Sequence, residues 1–181
     1  MPTVSRLIAE LGYSNHRAVK KPLLTRRHKV NRVQFARKYG AWDEEKWLTV
    51  LWSDESTFTV TCNRDGNVYR RHGSDPLDPR YMCATVKHPD SLMVWGAFTG
   101  HGKAQLHVFH NKEKVNQYNY LELLCDVQPQ AFEDTEATVF QQDGAKPHTA
   151  KSVTQWLRDC EVQFIDDWPS NSPDLNPIEN L

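Results

Sequence analysis

The chain has 181 residues, enough for a sizeable core, and its 39% hydrophobic and 25% charged residues are ordinary for a soluble globular protein. No apolar run approaches the roughly 20 residues of a membrane helix, and no charged segment leading into an apolar one opens the chain. The net charge of −1 hides an asymmetry: residues 1–40 carry ten Lys/Arg against one acid, Glu10, and residues 41–181 carry twelve against twenty-two. Such a split suggests a basic arm for a polyanion beside an acidic body able to hold cations.

Val4, Leu7, Ile8 and Leu11 recur at helical spacing and Gly12 can stop the turn, which predicts a short helix over residues 3–11. A basic extended link follows with Arg17, Lys20, Lys21 and Pro22, and Thr25 is a natural N-cap for a second helix ending near Tyr39 and Gly40. Val30, Val33 and Phe35 are its predicted core face. Arg26, Arg27, Lys29, Arg32, Arg37 and Lys38 stay solvated, unbroken by acids, as a phosphate-contacting face requires.

Asp43 caps a turn into Trp47, and residues 47–52 read as a strand that leaves Asp54 standing at its end. Residues 57–62 alternate as a second strand, residues 64–67 turn, and residues 68–71 return as a hairpin. Residues 81–86 suggest a short edge strand, residues 91–98 a buried strand, and residues 106–109 an alternating one after the turn at Gly100 and Gly102. Val115, Tyr118, Leu121, Leu124 and Cys125 fit one face of a helix ending before Pro129. An apolar run at 137–142 then leads to Asp143, residues 150–160 form a helix with Val153, Trp156 and Leu157 inward, and residues 162–165 form a last strand. The tryptophans at 42, 47, 52, 95, 156 and 168 read as packing anchors. Cys62, Cys83, Cys125 and Cys160 make no CxxC pair, against a zinc site or a secreted disulfide framework, and read as reduced intracellular thiols.

The order of elements predicts an α/β fold, a mixed sheet flanked by helices with a short basic helical N-terminal arm. Ligands of open sheets gather at the carboxyl ends of strands, where Asp54 and Asp143 both lie in this reading. Taken singly, each aspartate also suits a turn or cap. Asn176, Pro177 and Glu179 likewise have the form of a capping box, with Pro177 opening a helix. If the three acids converge, they need cations to relieve their mutual repulsion, and hard oxygen ligands suit Mg²⁺ or Mn²⁺. His148, five positions after Asp143, reads as a cap or packing residue in preference to a phosphate or water contact.

Three motifs carry a resemblance: Trp52-Ser53-Asp54-Glu55-Ser56, Gln142-Asp143-Gly144-Ala145-Lys146-Pro147-His148, and Ser172-Pro173-Asp174-Leu175-Asn176-Pro177-Ile178-Glu179-Asn180. Together with Lys21-Pro22-Leu23-Leu24, the basic helix and Val94-Trp95-Gly96, the chain resembles the Tc1/mariner transposases, specifically the Tc1-like branch. The resemblance implies an RNase H-like catalytic domain over residues 46–181, truncated at its C-terminal end. It further implies a basic connector helix over 25–45, and over 1–24 the end of a paired-like helix-turn-helix region with its linker. It makes Asp54, Asp143 and Glu179 the catalytic and metal-binding triad, with two Mg²⁺ or Mn²⁺ ions. The implied reaction is cleavage of double-stranded DNA at terminal inverted repeats and transfer of the freed 3′-hydroxyl to a TA target, in the nucleus, by a homodimer in a synaptic complex. Arg6, Arg17, Lys20, Lys21, Arg26, Arg27, Lys29 and Arg32 are the expected DNA contacts.

Departures from the family pattern are few. Thirty-five residues separate Asp143 from Glu179, one more than the Tc1-like pattern usually has, and Gly144 and Lys146 replace the common Asn and Pro. The rival expectations are a catalytically silent remnant that only binds DNA or protein, and a nuclease of the same fold acting on RNA or structured DNA. The short chain beyond Glu179 favours the remnant, and the three intact acids favour the enzyme.

Overall fold

The computed structural model describes residues 4–14, 22–59, 68–75, 77–82, 90–109 and 115–181. Helix α1, Val4–Glu10, ends as the sequence predicts. Gly12 takes φ +80°, and the amides of Gly12 and Tyr13 bond back to the carbonyls of Ala9 and Ile8, a Schellman close. Arg17, Lys20 and Lys21 lie outside the described residues, as do the predicted turn at 64–67 and most of the predicted strand at 81–86. No helix among the described residues is long and apolar enough to cross a membrane.

Helix α2, Arg26–Tyr39, is capped by Thr25, whose hydroxyl accepts from the His28 amide while the His28 ring accepts from the Thr25 amide. Its buried face is Phe35 and Tyr39. The predicted Val30 and Val33 are instead 48% and 50% exposed, because the stripe that faces the body runs through positions 28, 32, 35 and 39 and leaves 30 and 33 beside it. Asp43 caps α3, Glu44–Leu48, so Trp47 belongs to a helix and not to the strand predicted at 47–52.

That strand is β1, Val50–Thr59, one continuous run through Asp54 and not two strands with a break between them. Its first half is buried on both faces, while its second half runs on past the end of β4, paired with one neighbour only, and carries polar residues. Strand β2, Ser91–Phe98, pairs antiparallel with β1 from Trp52↔Phe98 to Thr59↔Ser91, taking the place predicted for residues 68–71. Strand β3 is His107–Phe109.

Helix α4, Gln117–Thr135, continues through Pro129. Pro129 and Cys125 both face solvent, so the carbonyl left without a donor stays hydrated and the helix survives. Its buried face is Tyr120, Leu123, Leu124, Gln128, Ala131 and Thr135, and the predicted Tyr118 is 74% exposed. Strand β4, Val139–Gln141, and helix α5, Lys151–Asp159, follow, with Val153 and Leu157 buried as predicted. The predicted strand at 162–165 contributes a single parallel bridge, Phe164 to Phe140.

Among the described residues the sheet order is β3-β2-β1-β4, antiparallel except for β1 with β4. Alternation along β1 sends Leu51 into a core under α4 and α5, and Val50 and Trp52 into a second core under α2. The second core is a closed ring of aromatics, Phe35, Tyr39, Trp42, Trp47, Trp52 and Trp168, with neighbouring centroids 4.7 to 6.1 Å apart. The predicted tryptophan anchors at 42, 47, 52 and 168 thus fasten the basic helix to the sheet.

Candidate active site

The register of β1 with β4 brings two of the predicted acids to one level. Val50, Leu51 and Trp52 pair with Val139, Phe140 and Gln141, and two residues further along each chain stand Asp54 and Asp143. Ser53 reinforces this register, its hydroxyl donating to the Gln141 carbonyl at 2.7 Å and its amide to the Gln141 side chain at 3.2 Å. Asp54 is therefore a mid-strand residue, set level with Asp143 by the register and bared on that side because β4 ends at Gln141.

The third acid arrives on irregular chain. Residues Pro173–Leu175 and Pro177–Asn180 form two successive 3-10 turns, and Glu179 lies exposed in the second. The predicted capping box does not form. The Asn176 side chain makes no cap and instead donates across the molecule to the Ser53 carbonyl at 3.3 Å, so a tertiary contact displaces the local one. This bond ties the Glu179 turn to the residue beside Asp54. Glu179 borders three clefts: one of about 420 Å³ that it shares with Asp143, one of about 740 Å³ that it shares with Asp54, and one of about 370 Å³ that it shares with Arg32 and Asp174.

Burial holds the Asp54 carboxyl up at about 6 despite a hydrogen bond from the Glu55 amide, and the charges of Glu179, Glu55 and Asp143 add to the rise. Asp143 moves the opposite way. Burial works to raise it, but hydrogen bonds from His148 and from the Ala145 amide outweigh that and hold it below its ordinary value. Both of those bonds fall on Oδ1, at 2.6 and 2.9 Å, and the Glu55 amide likewise uses only Oδ1 of Asp54. Among the described residues, each aspartate thus keeps Oδ2 free for a ligand.

His148 is a packing residue, as the sequence predicts, and it also meets two carboxylates. It is 3% exposed, its ring lies 4.0 Å from the Tyr120 ring at 30°, and its Nδ1 and Nε2 face Asp143 and Glu55 at 2.6 and 3.4 Å. Burial opposes its charge, yet the two carboxylates on either side of the ring raise it to about 9. Glu55 can reach it because successive β1 residues point to opposite faces: Asp54 turns toward the α2 side, Glu55 toward α4.

Glu55, Tyr120 and Gln142 escaped the sequence reading. The Tyr120 hydroxyl donates to Gln142 Oε1 at 2.9 Å, and Gln142 Nε2 donates to the His148 carbonyl at 3.1 Å, all of it buried. Only the period of two along residues 53–56 hinted at Glu55; the others depend on α4 crossing beneath the strand end. Tyr120→Phe is expected to leave the ring stack intact and the Gln142 oxygen unpaired, lowering stability in urea by about 1–3 kcal/mol. An unchanged unfolding midpoint would show that this network holds nothing.

Oxygen donors and mutual repulsion at Asp54 suit a hard divalent cation. Among the described residues, however, no three His, Cys, Asp or Glu side chains are gathered as a closed metal site. Asp54 and Glu179 stand on one cleft, Asp143 and Glu179 on another.

A sequence family described as DDE superfamily endonuclease matches residues 49–181. The Transposable element Tc1 transposase of Caenorhabditis elegans is 37% identical over 182 aligned positions, covering 99% of this chain, which spans 66% of that relative's length. Among solved structures, the Mos1 mariner paired-end complex with Mn superposes with a TM-score of 0.78 at 18% identity, over 97% of this chain and 53% of that one. The Mos1 transposase paired-end complex with left transposon end gives 0.77 at 18% identity, over 98% and 53%. The predicted mixed sheet is thus the RNase H-like fold of these structures. From the matched family and the Tc1 likeness together, the chain belongs to the DDE superfamily endonuclease family, in its Tc1/mariner transposase branch.

Proposed function

We propose that this chain carries the catalytic centre of a cut-and-paste DNA transposase, with Asp54, Asp143 and Glu179 as its three metal-binding acids. The observation that carries the reading is the register: Asp54 and Asp143 stand level at the end of β4, and Asn176 ties the Glu179 turn to Ser53 alongside them. Oδ2 of each aspartate, free among the described residues, and the exposed carboxylate of Glu179 are the donors that fit Mg²⁺ or Mn²⁺. When bound, two such ions supply activation of a water or 3′-hydroxyl and neutralisation of the leaving oxygen.

This chain's own residues bind and orient. Asp54, held at about 6 by burial and by its acidic neighbours, would hold a cation through its carboxylate, and the cation would offset that repulsion. His148, locked between Asp143 and Glu55, fixes the direction in which the Asp143 carboxylate points. Arg6, Arg26, Arg27 and Lys29 are exposed and furnish phosphate contacts along the arm and the start of α2, together with Arg17, Lys20 and Lys21 of the intervening link. The substrate of this reading is double-stranded DNA with terminal inverted repeats, the target a TA step, the acting form a synaptic homodimer and the compartment the nucleus. The Mos1 relatives, held with a transposon end and with Mn, support the DNA and metal assignments.

A second reading has its own observation, the acids left unclosed among the described residues: a silent remnant that only binds DNA. Nicking of supercoiled plasmid by the purified chain separates the two. Nicking in Mn²⁺ that stops in EDTA upholds the enzyme; salt-dependent binding with no nicking and no metal effect upholds the remnant.

A further inference from the structure

Of the basic residues on α2, Arg32 differs from its neighbours. Arg26, Arg27 and Lys29 are exposed, whereas the Arg32 side chain is 23% exposed and its guanidinium is already engaged. Nη1 and Nη2 fork onto the Asp174 carboxylate at 2.9 and 2.6 Å, and Nη1 also donates to the buried Ser172 hydroxyl at 2.7 Å. A planar fork that meets a carboxylate in this way fixes a direction as well as a distance.

Arg32 is one rung of a longer seam. His28, one turn earlier, lies 3.2 Å from the Asn171 amide, Phe35 packs edge-on against Trp168, and the Tyr39 hydroxyl donates to Asp167 at 2.7 Å. Positions 28, 32, 35 and 39 make a single helical stripe. This stripe grips residues 167–174, whose continuation enters the Asn176 bond to Ser53 and then the Glu179 turn. The segment that presents Glu179 is therefore held from two sides, by α2 and by β1.

We propose that Arg32 is a positioning residue for Glu179 and not a phosphate contact: the basic helix splints the segment that delivers the third acid. The inference rests on the reading of Glu179 as a metal ligand. Asp174 is 59% exposed, so the ion pair itself adds little to stability, and its removal leaves a folded chain. Its effect is on where the 3-10 turn sits. Loss of a residue that orients a ligand lowers metal affinity by about 10–100-fold.

The test is Mn²⁺ binding by titration calorimetry on the full chain, beside DNA-duplex binding in EDTA over a range of salt. Glu179→Gln and Arg32→Ala are both expected to weaken Mn²⁺ binding by about tenfold or more. Arg32→Ala leaves duplex affinity and its salt slope unchanged. Asp174→Ala, which removes no positive charge, reproduces the Mn²⁺ loss and serves also if Arg32→Ala does not fold. The reversed pair Arg32→Asp with Asp174→Arg regains most of the affinity, which loss of a surface charge alone does not explain. If Glu179→Gln leaves Mn²⁺ binding intact, the reading of Glu179 falls, and the splint with it. If Glu179→Gln weakens binding while Arg32→Ala and Asp174→Ala do not, the splint alone is wrong. A salt slope reduced by about 0.9 in Arg32→Ala, with Mn²⁺ affinity kept, makes Arg32 a phosphate contact.

Discussion

Asp143→Asn lowers metal-dependent DNA nicking by about a thousandfold or more while leaving the fold intact. The carboxamide loses the negative charge that holds a divalent ion, and metal stabilisation of a phosphodiester transition state is worth several kcal/mol, each ~1.4 kcal/mol being a factor of ten in rate. Folding survives because Asn keeps an oxygen for the Ala145 amide and the His148 ring, both now bound to Oδ1. Asp54→Asn is expected to behave alike, since its Oδ1 takes only the Glu55 amide. Nicking rates in Mn²⁺, with far-UV circular dichroism as the check on folding, decide the matter. A variant that nicks within a few-fold of the parent removes Asp143 from the chemistry.

Phe35→Ala has the largest expected effect on stability, about 3–5 kcal/mol, the usual loss for a buried phenyl group with the cavity it leaves. Phe35 is 6% exposed and touches both Tyr39 and Trp168, so its removal opens the aromatic ring at the point where α2 meets the segment leading to Glu179. The urea midpoint falls with little change in slope if α2 unfolds together with the body. A loss under about 1 kcal/mol would mean that α2 rests on the sheet without being part of its core.

How much of this was legible depended on whether the cause was local. The Thr25 and Asp43 caps, the Gly12 stop and strand β2 all followed from short patterns, and all appear where the sequence places them. Polar residues 53–57 looked like the end of a strand because nothing local says that β1 outruns β4. In α4 the buried Gln128 and Thr135 break the apolar rhythm, which rotates the predicted face and makes Pro129 read as a stop. Asn176 and Glu179 matched a capping box in spacing alone, and a long-range bond to Ser53 won. His148 illustrates the same limit within the site: its position five residues after Asp143 was plain, but Glu55 and Tyr120 come to it only through strand alternation and helix packing.

The proposed metal centre needs the acids to act together. Its most direct test is Mn²⁺ titration calorimetry of the chain beside Asp54→Asn and Asp143→Asn, each checked for a native melting transition. The parent is expected to bind and each variant to lose affinity by at least about tenfold. Binding that is alike in all three, or absent from all three, would contradict the proposed centre.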